Sequence, residues 1–279
     1  MSSSVEISSG ETLVISTGSL TISSGVTLTV DSGGYITIGN SGTSSFGISN
    51  SGTITNSGTI NIENTGDSSD GILNSGGAII NDGLIGDVNR GSGSNGIYNS
   101  AGTFTNDGTI DVYNSMGDGI VNYASFFNTP TGTIAIITGS TGIDNENTFT
   151  NDGTITIKTS GAGSYGIYNA GTITNYGAIT IQSTGAGSTG IYNAGTVTNC
   201  GTIGTVTGNP VQACGSTTSS SSSSTTSSST TSATSTSPTI PEYPFPLGLA
   251  AVFLAAIVVY SLIRGKSTRT PHTPSAQSR

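Results

Sequence analysis

Apolar residues in this chain come in short bursts. In "GISNSGTITNSGTINI", residues 47–62, Ile48 stands alone, Ile54 sits between two threonines, and Ile60 and Ile62 are two apart. Such groups are too short for helices, and their period of two is that of strands with one buried face. Alternation then assigns directions. Ile54 and Asn56 point inward while Thr53 and Thr55 point to solvent, and Ile60 with Ile62 forms the next inward pair. The same three-burst phrase returns with "GIxN" at Gly47, Gly71, Gly96, Gly119, Gly142, Gly166 and Gly190, 23 to 25 residues apart.

One such unit buries only a few aliphatic side chains, too few to offset the entropy of ordering it. Stacking solves this, and self-similarity at this period is the signature of a solenoid. The expectation is an all-β chain: a parallel β-helix of about seven coils over residues 47–213, each coil about 4.8 Å above the last, with three parallel sheets around a narrow interior. Parallel crossovers make right-handed winding the default. Residues 1–46 carry the same texture in looser form, "TLVI", "SLTI", "TLTV" and "YITI", and read as initial coils or a cap.

Two asparagine series run unbroken through the units. One is Asn50, Asn74, Asn99, Asn122, Asn145, Asn169 and Asn193; the other is Asn56, Asn81, Asn106, Asn128, Asn151, Asn175 and Asn199. An inward amide at a corner can bond the turn backbone and its own copies above and below, because it carries both donor and acceptor. Both series read as structural ladders, with the neighbouring glycines expected to supply positive φ at the corners.

The C-terminal quarter is different. From Ser216 to Thr239 every residue except Ala233 and Pro238 is Ser or Thr, so residues 214–240 read as a disordered, hydroxyl-rich stalk suited to O-glycosylation. No asparagine is followed two positions later by Ser or Thr, so N-glycosylation is not expected. Within residues 241–263, Phe245 to Ile263 are 19 residues without a charge, long enough for one transmembrane helix. Arg264, Lys266, Arg269 and Arg279 follow, which places residues 264–279 in the cytoplasm and the solenoid outside. The start, "MSSSVEISSGETLVIS", has neither the basic nor the apolar part of a secretory leader. An external body needs one, so the sequence reads as mature, truncated or begun at a wrong start codon; the alternative is a tail-anchored cytoplasmic rod.

Charge and composition narrow the chemistry. All 15 acids precede the apolar run, accompanied only by Arg90 and Lys158, which argues against nucleic acid as a partner. The single histidine, His272, lies in the tail, so acid–base chemistry in the body falls to carboxylates. Asp82, Asp107 and Asp152 all stand in "NDG" turns. Asp82 and Asp107 share a corner of adjacent coils and are weak candidates for Ca²⁺ or for an acid pair. Solvated turn acids are the preferred reading, with no catalytic residue, metal or cofactor expected. Cys200 and Cys214 are a pair able to close a disulfide in an exported chain. Tyr98, Tyr168 and Tyr192 occupy the x position of "GIxN" as possible surface contacts, exposed aromatics that either bind sugars or stabilise the sheet.

Two resemblances add expectations. "PEYPF" at residues 241–245, then an apolar span and a short basic tail, is similar to the C-terminal sorting and anchoring regions of archaeal surface proteins, including PEF-type signals. Phrases such as "NSGTITNSGTI", residues 50–60, resemble the repeats of β-helical adhesins and autotransporter passengers. Together they imply a cell-surface structural or adhesive rod held in the cytoplasmic membrane, meeting glycans, other cells or copies of itself. A polysaccharide lyase or glycosidase using turn aspartates is the alternative. Outward "TIT", "TFT" and "TVT" pairs, interrupted at "AII" of residues 78–80 and near Phe126 and Phe127, make an ice-binding face a minor one.

Overall fold

The computed structural model describes residues 1–40, 42–64, 66–114 and 116–214. All of them belong to one compact unit, a parallel β-solenoid of about eight turns, and among them there is no helix. The stalk, the apolar span at 245–263 and the basic tail lie outside the described residues. Within the described residues no helix is long and apolar enough to cross a membrane.

Each turn contributes three strands, as the triple bursts require. Face 1 contains strands such as Phe46–Asn50, Ile143–Asn145 and Tyr165–Asn169; face 2 contains Thr53–Asn56, Thr148–Asn151 and Thr172–Asn175; face 3 contains Thr59–Asn64, Leu84–Asn89 and Thr109–Asn114. Every strand pairs in parallel with its copy one turn away, for example Ile54 with Ile79 and Ile60 with Ile85. Three separate sheets are not what forms. Face 3 is an eight-stranded sheet, while faces 1 and 2 merge into one of 17 strands. The cause is local: strands Asp70–Asn81 and Ile97–Asn106 run through the corner between the two faces without a break.

The alternation read from sequence describes the interior. Ile48, Ile54, Ile60 and Ile62 are each at most 2% exposed. On face 2 the inward column changes from isoleucine to Phe104, Phe126 and Phe149, whose rings lie 4.7 and 4.8 Å apart and nearly parallel. That separation is the coil spacing itself, so identical side chains on consecutive turns stack face to face without adjusting the backbone.

The glycines beside the asparagines serve two ends: Gly76 and Gly102, at the corner of the first ladder, take the expected positive φ, and others do something else. Gly58, Gly83 and Gly177, at the corner of the second ladder, are not in the positive-φ region, which occurs also at Gly163 and Gly187 in the "GAGS" turns of the third corner. What they provide is closeness: a Cβ on Gly83 would lie 2.2 Å from the carbonyl oxygen of Gly58, and one on Gly177 2.0 Å from that of Gly153. A side chain at these glycine positions would push the coils apart.

Residues 1–40 form the first coils, in register with the repeats. Leu20 pairs with Ile48, Leu28 with Ile54 and Ile36 with Ile60. At the other end Cys200 and Cys214 form a disulfide, with Cα atoms 5.1 Å apart. They follow Asn199 and Ala213, which are register partners on the last two rungs of face 2.

Candidate functional site

The asparagine series form two continuous hydrogen-bonded chains. In the first, Nδ2 of each residue donates to Oδ1 of the next: Asn50 to Asn74 at 2.9 Å, Asn74 to Asn99 at 2.9 Å, Asn99 to Asn122 at 2.8 Å, Asn122 to Asn145 at 2.8 Å, Asn145 to Asn169 at 2.7 Å and Asn169 to Asn193 at 2.8 Å. The second runs from Asn56 through Asn81, Asn106, Asn128, Asn151 and Asn175 to Asn199, with separations of 2.7 to 2.8 Å. The spare amide hydrogen goes to turn carbonyls, as from Asn145 to Asn147 and from Asn175 to Gly177. Thirteen of the fourteen are buried, and Asn199 on the last full rung is half-buried. These amides are consumed inside the solenoid and have no access to a ligand.

A third corner has its own polar column, which the sequence reading missed. Asn40, Asn64, Asn89, Asn114, Thr138, Thr159 and Ser183 are register partners on face 3. Asn89 donates to the carbonyls of Ser69 and Asn95, and Asn114 accepts from the amide of Gly117 at 2.9 Å. Here the amides of Asn89 and Asn114 bond backbone groups of their own turn and of the adjacent coil instead of the next amide, so Thr138 can replace them by donating to Gly117 O and accepting from Ser140 N.

The exposed face with the most chemistry is face 1. Its outward central column reads Tyr98, Val121, Asp144, Tyr168 and Tyr192 on five successive rungs. Tyr168 and Tyr192 stack, with centroids 5.6 Å apart and planes 16° from parallel, and Tyr165 leans on both at 5.6 Å. Tyr98 is two rungs below Asp144 and packs at 5.7 Å against Tyr123 from the corner turn. Val121 lies between these groups on the outward side and is only 5% exposed. The result is two tyrosine clusters with a carboxyl group in the gap between them.

That carboxyl is perturbed. Asp144 is half-buried and its Oδ1 has no hydrogen-bond partner; burial, reinforced by Glu146 and Asp118 nearby, raises its pKa to about 6. Asp118 itself accepts from Ser140 Oγ at 2.7 Å and from Thr141 N at 3.0 Å. Desolvation and the same three acids push the Tyr123 phenol up. The strip therefore offers flat aromatic faces, phenol hydroxyls and a carboxyl group that changes charge near neutral pH.

The turn aspartates form no comparable site. Asp107 follows Asn106 on an exposed corner and accepts from the hydroxyls of Thr129 and Thr131, which hold its carboxyl below the usual range. Asp82 sits one coil away, directly after Asn81, the register partner of Asn106. Among the described residues no cluster of three or more His, Cys, Asp or Glu side chains is arranged to hold a metal ion. No family model, curated protein or solved structure matches this chain.

Of the strip's residues, Tyr98, Tyr168 and Tyr192 were readable from the repeat. Asp144 fills the same x position in "GIDN" and carried the same signal. Tyr123 and Tyr165 lie outside that position, and only the fold brings them alongside.

Proposed function

We propose that this chain is a structural or adhesive rod of the cell surface, anchored in the cytoplasmic membrane by residues 245–263 and set away from it by the Ser/Thr-rich stalk. The observation that carries the reading is the division of polar chemistry between inside and outside. The buried amides and hydroxyls serve the corners, whereas the tyrosines and Asp144 of face 1 are left for contact. Stacked repeats present such groups at regular intervals, so individually weak contacts add. Tyrosine rings match the apolar faces of sugar rings, and a carboxylate accepts from their hydroxyls. Vesicles carrying the full chain, applied to an array of neutral and anionic glycans and of intact cells, should bind a subset. Tyr168→Ala should reduce capture about tenfold, in the range of one lost aromatic contact. Equal capture by the wild type and this variant removes the strip from the reading.

A second reading rests on one observation, the raised pKa of Asp144 beside Glu146. A carboxyl whose pKa is raised, with another acid close by, is the pairing that glycoside hydrolysis uses. Release of reducing ends on the same glycans, lost in Asp144→Asn, would favour an enzyme over an adhesin. Binding without turnover would favour the adhesin.

A further inference from the structure

One rung of the solenoid carries a group that does not suit its interior. The second inward column of face 3 runs Ile38, Ile62, Asp87, Val112, Ile136, Ile157. Asp87 takes the place of an aliphatic side chain, is 1% exposed, and has no hydrogen-bond partner for either carboxyl oxygen. Space for it comes from the opposite wall. A Cβ on Gly71 would lie 2.3 Å from Oδ1, and one on Gly96 would lie 3.0 Å from Oδ2. The carboxyl thus rests against two glycines between an isoleucine below and a valine above.

A carboxylic acid is tolerable in such a place; a bare carboxylate is far costlier. Nothing facing it would ease the charge. Asp70, at the start of strand Asp70–Asn81, acts on it as a like charge. Glu63 on the rung below and Asp111 on the rung above occupy outward positions of their strands. Arg90, the nearest base in sequence, gives neither oxygen a hydrogen bond.

We propose that Asp87 makes strand Leu84–Asn89 a protonation-controlled seam: the neutral acid closes this rung, and loss of its proton at rising pH opens the solenoid between strands Thr59–Asn64 and Thr109–Asn114. Burial first, and Asp70 second, hold the proton on Asp87 well above the usual carboxylate range. Well below about pH 4 the folded and unfolded chains are both protonated there, and pH has no leverage. As pH rises, the unfolded chain releases its proton first, so each step favours opening until the folded carboxyl also titrates. Opening exposes unpaired strand edges in mid-rod, the surface on which another chain can add a strand.

Hydrogen exchange on the intact chain, corrected for the intrinsic pH dependence of exchange, tests this between about pH 5 and 9. Protection of Leu84–Asn89 and its two neighbouring strands is expected to fall at least ~10-fold in the wild type while Thr154–Thr159 holds. Asp87→Asn, of the same shape but without the proton, and Asp87→Val, which copies Val112, should both give flat profiles. The carboxyl carbon resonance of Asp87 in the wild type needs no variant, and its midpoint should lie well above 4. A midpoint in the ordinary aspartate range, or equal loss of protection in the wild type and Asp87→Asn, overturns the proposal.

Discussion

The N-terminal coils and the "GIxN" coils share one register but build two of their three corners from opposite materials. Where the repeats place Asn50 and Asn56, the preceding rung places Ile22 and Val30, each fully buried. Both solutions keep the same stacking, so the coil path does not require the amide. What the amide adds is a bonded column through the interior, in which every side chain has a partner on the next turn. The junction shows the cost of switching. Oδ1 of Asn56 faces Val30 and has no hydrogen-bond donor, an orphan at the head of the second ladder. An aliphatic corner ends a ladder; it cannot continue one.

Exchanging the two solutions should therefore be asymmetric. Asn145→Ile, which gives a mid-ladder rung the N-terminal solution, removes the bonds to Asn122 and Asn169 and leaves the Asn169 oxygen without its donor. A loss of about 3 kcal/mol is expected in chemical denaturation, from two buried bonds and an orphaned acceptor. Ile22→Asn, the reverse exchange, gives Asn50 a new neighbour and should cost clearly less. Equal losses would mean that the ladders add nothing beyond filling space.

The two ends of the rod differ as well: apolar corners close the first coil, a covalent bond the last. Cys200→Ser with Cys214→Ser opens a loop with a sequence separation of 14. It should lower stability by about 2–3 kcal/mol, with exchange of Val206–Gly208 and Val211–Ala213 rising first.

Acid response should separate the regions too, because the acids with raised pKa, Asp70, Asp87, Asp111 and Asp144, all lie in the repeats. A carboxyl raised in the folded state favours folding at low pH and loses that contribution as pH rises toward its folded value. For Asp144 the window runs from the ordinary aspartate value of 3.8 to about 6. Solvent screening of this half-exposed group reduces the effect, and Asp144→Asn should remove about 1 kcal/mol of the pH dependence measured by thermal melting between pH 4 and 7. The smallest effect is expected at the junction. Val30→Thr offers a hydroxyl to the orphaned Asn56 oxygen and should raise stability by about 0.5 kcal/mol, visible as a small increase in Tm.

Much of this architecture is legible in the sequence because stacking turns spatial neighbours into periodic ones. Ile54, Ile79 and Asn56, Asn81 keep their chemistry from turn to turn, so their columns can be read directly. The third corner hides because Asn89 and Asn114 bond backbone groups and not one another, which lets Asn114 be followed by Thr138 and Thr159 without breaking a chain. Asp87 escapes notice for a related reason: only the register with Ile62 and Val112 shows that this acid of "LIGDVN" lies in the column of inward aliphatics. The positive φ of Gly76 and Gly102 is legible from composition, but the proximity that Gly58, Gly83 and Gly177 provide is not, since close approach between coils leaves no mark within a single coil. Tyr123 and Tyr165 lie off the repeat positions and could be joined to the strip only in three dimensions.

The sulfur bridge also sets a route for tension. A pull on the chain beyond Cys214 passes through the covalent link directly to Cys200, one coil deeper, and bypasses residues 201–213. Those final strands, only three residues long each and largely exposed, are left slack under load. The first hydrogen bonds to feel the strain are those of strand Thr196–Asn199, which is paired on both sides.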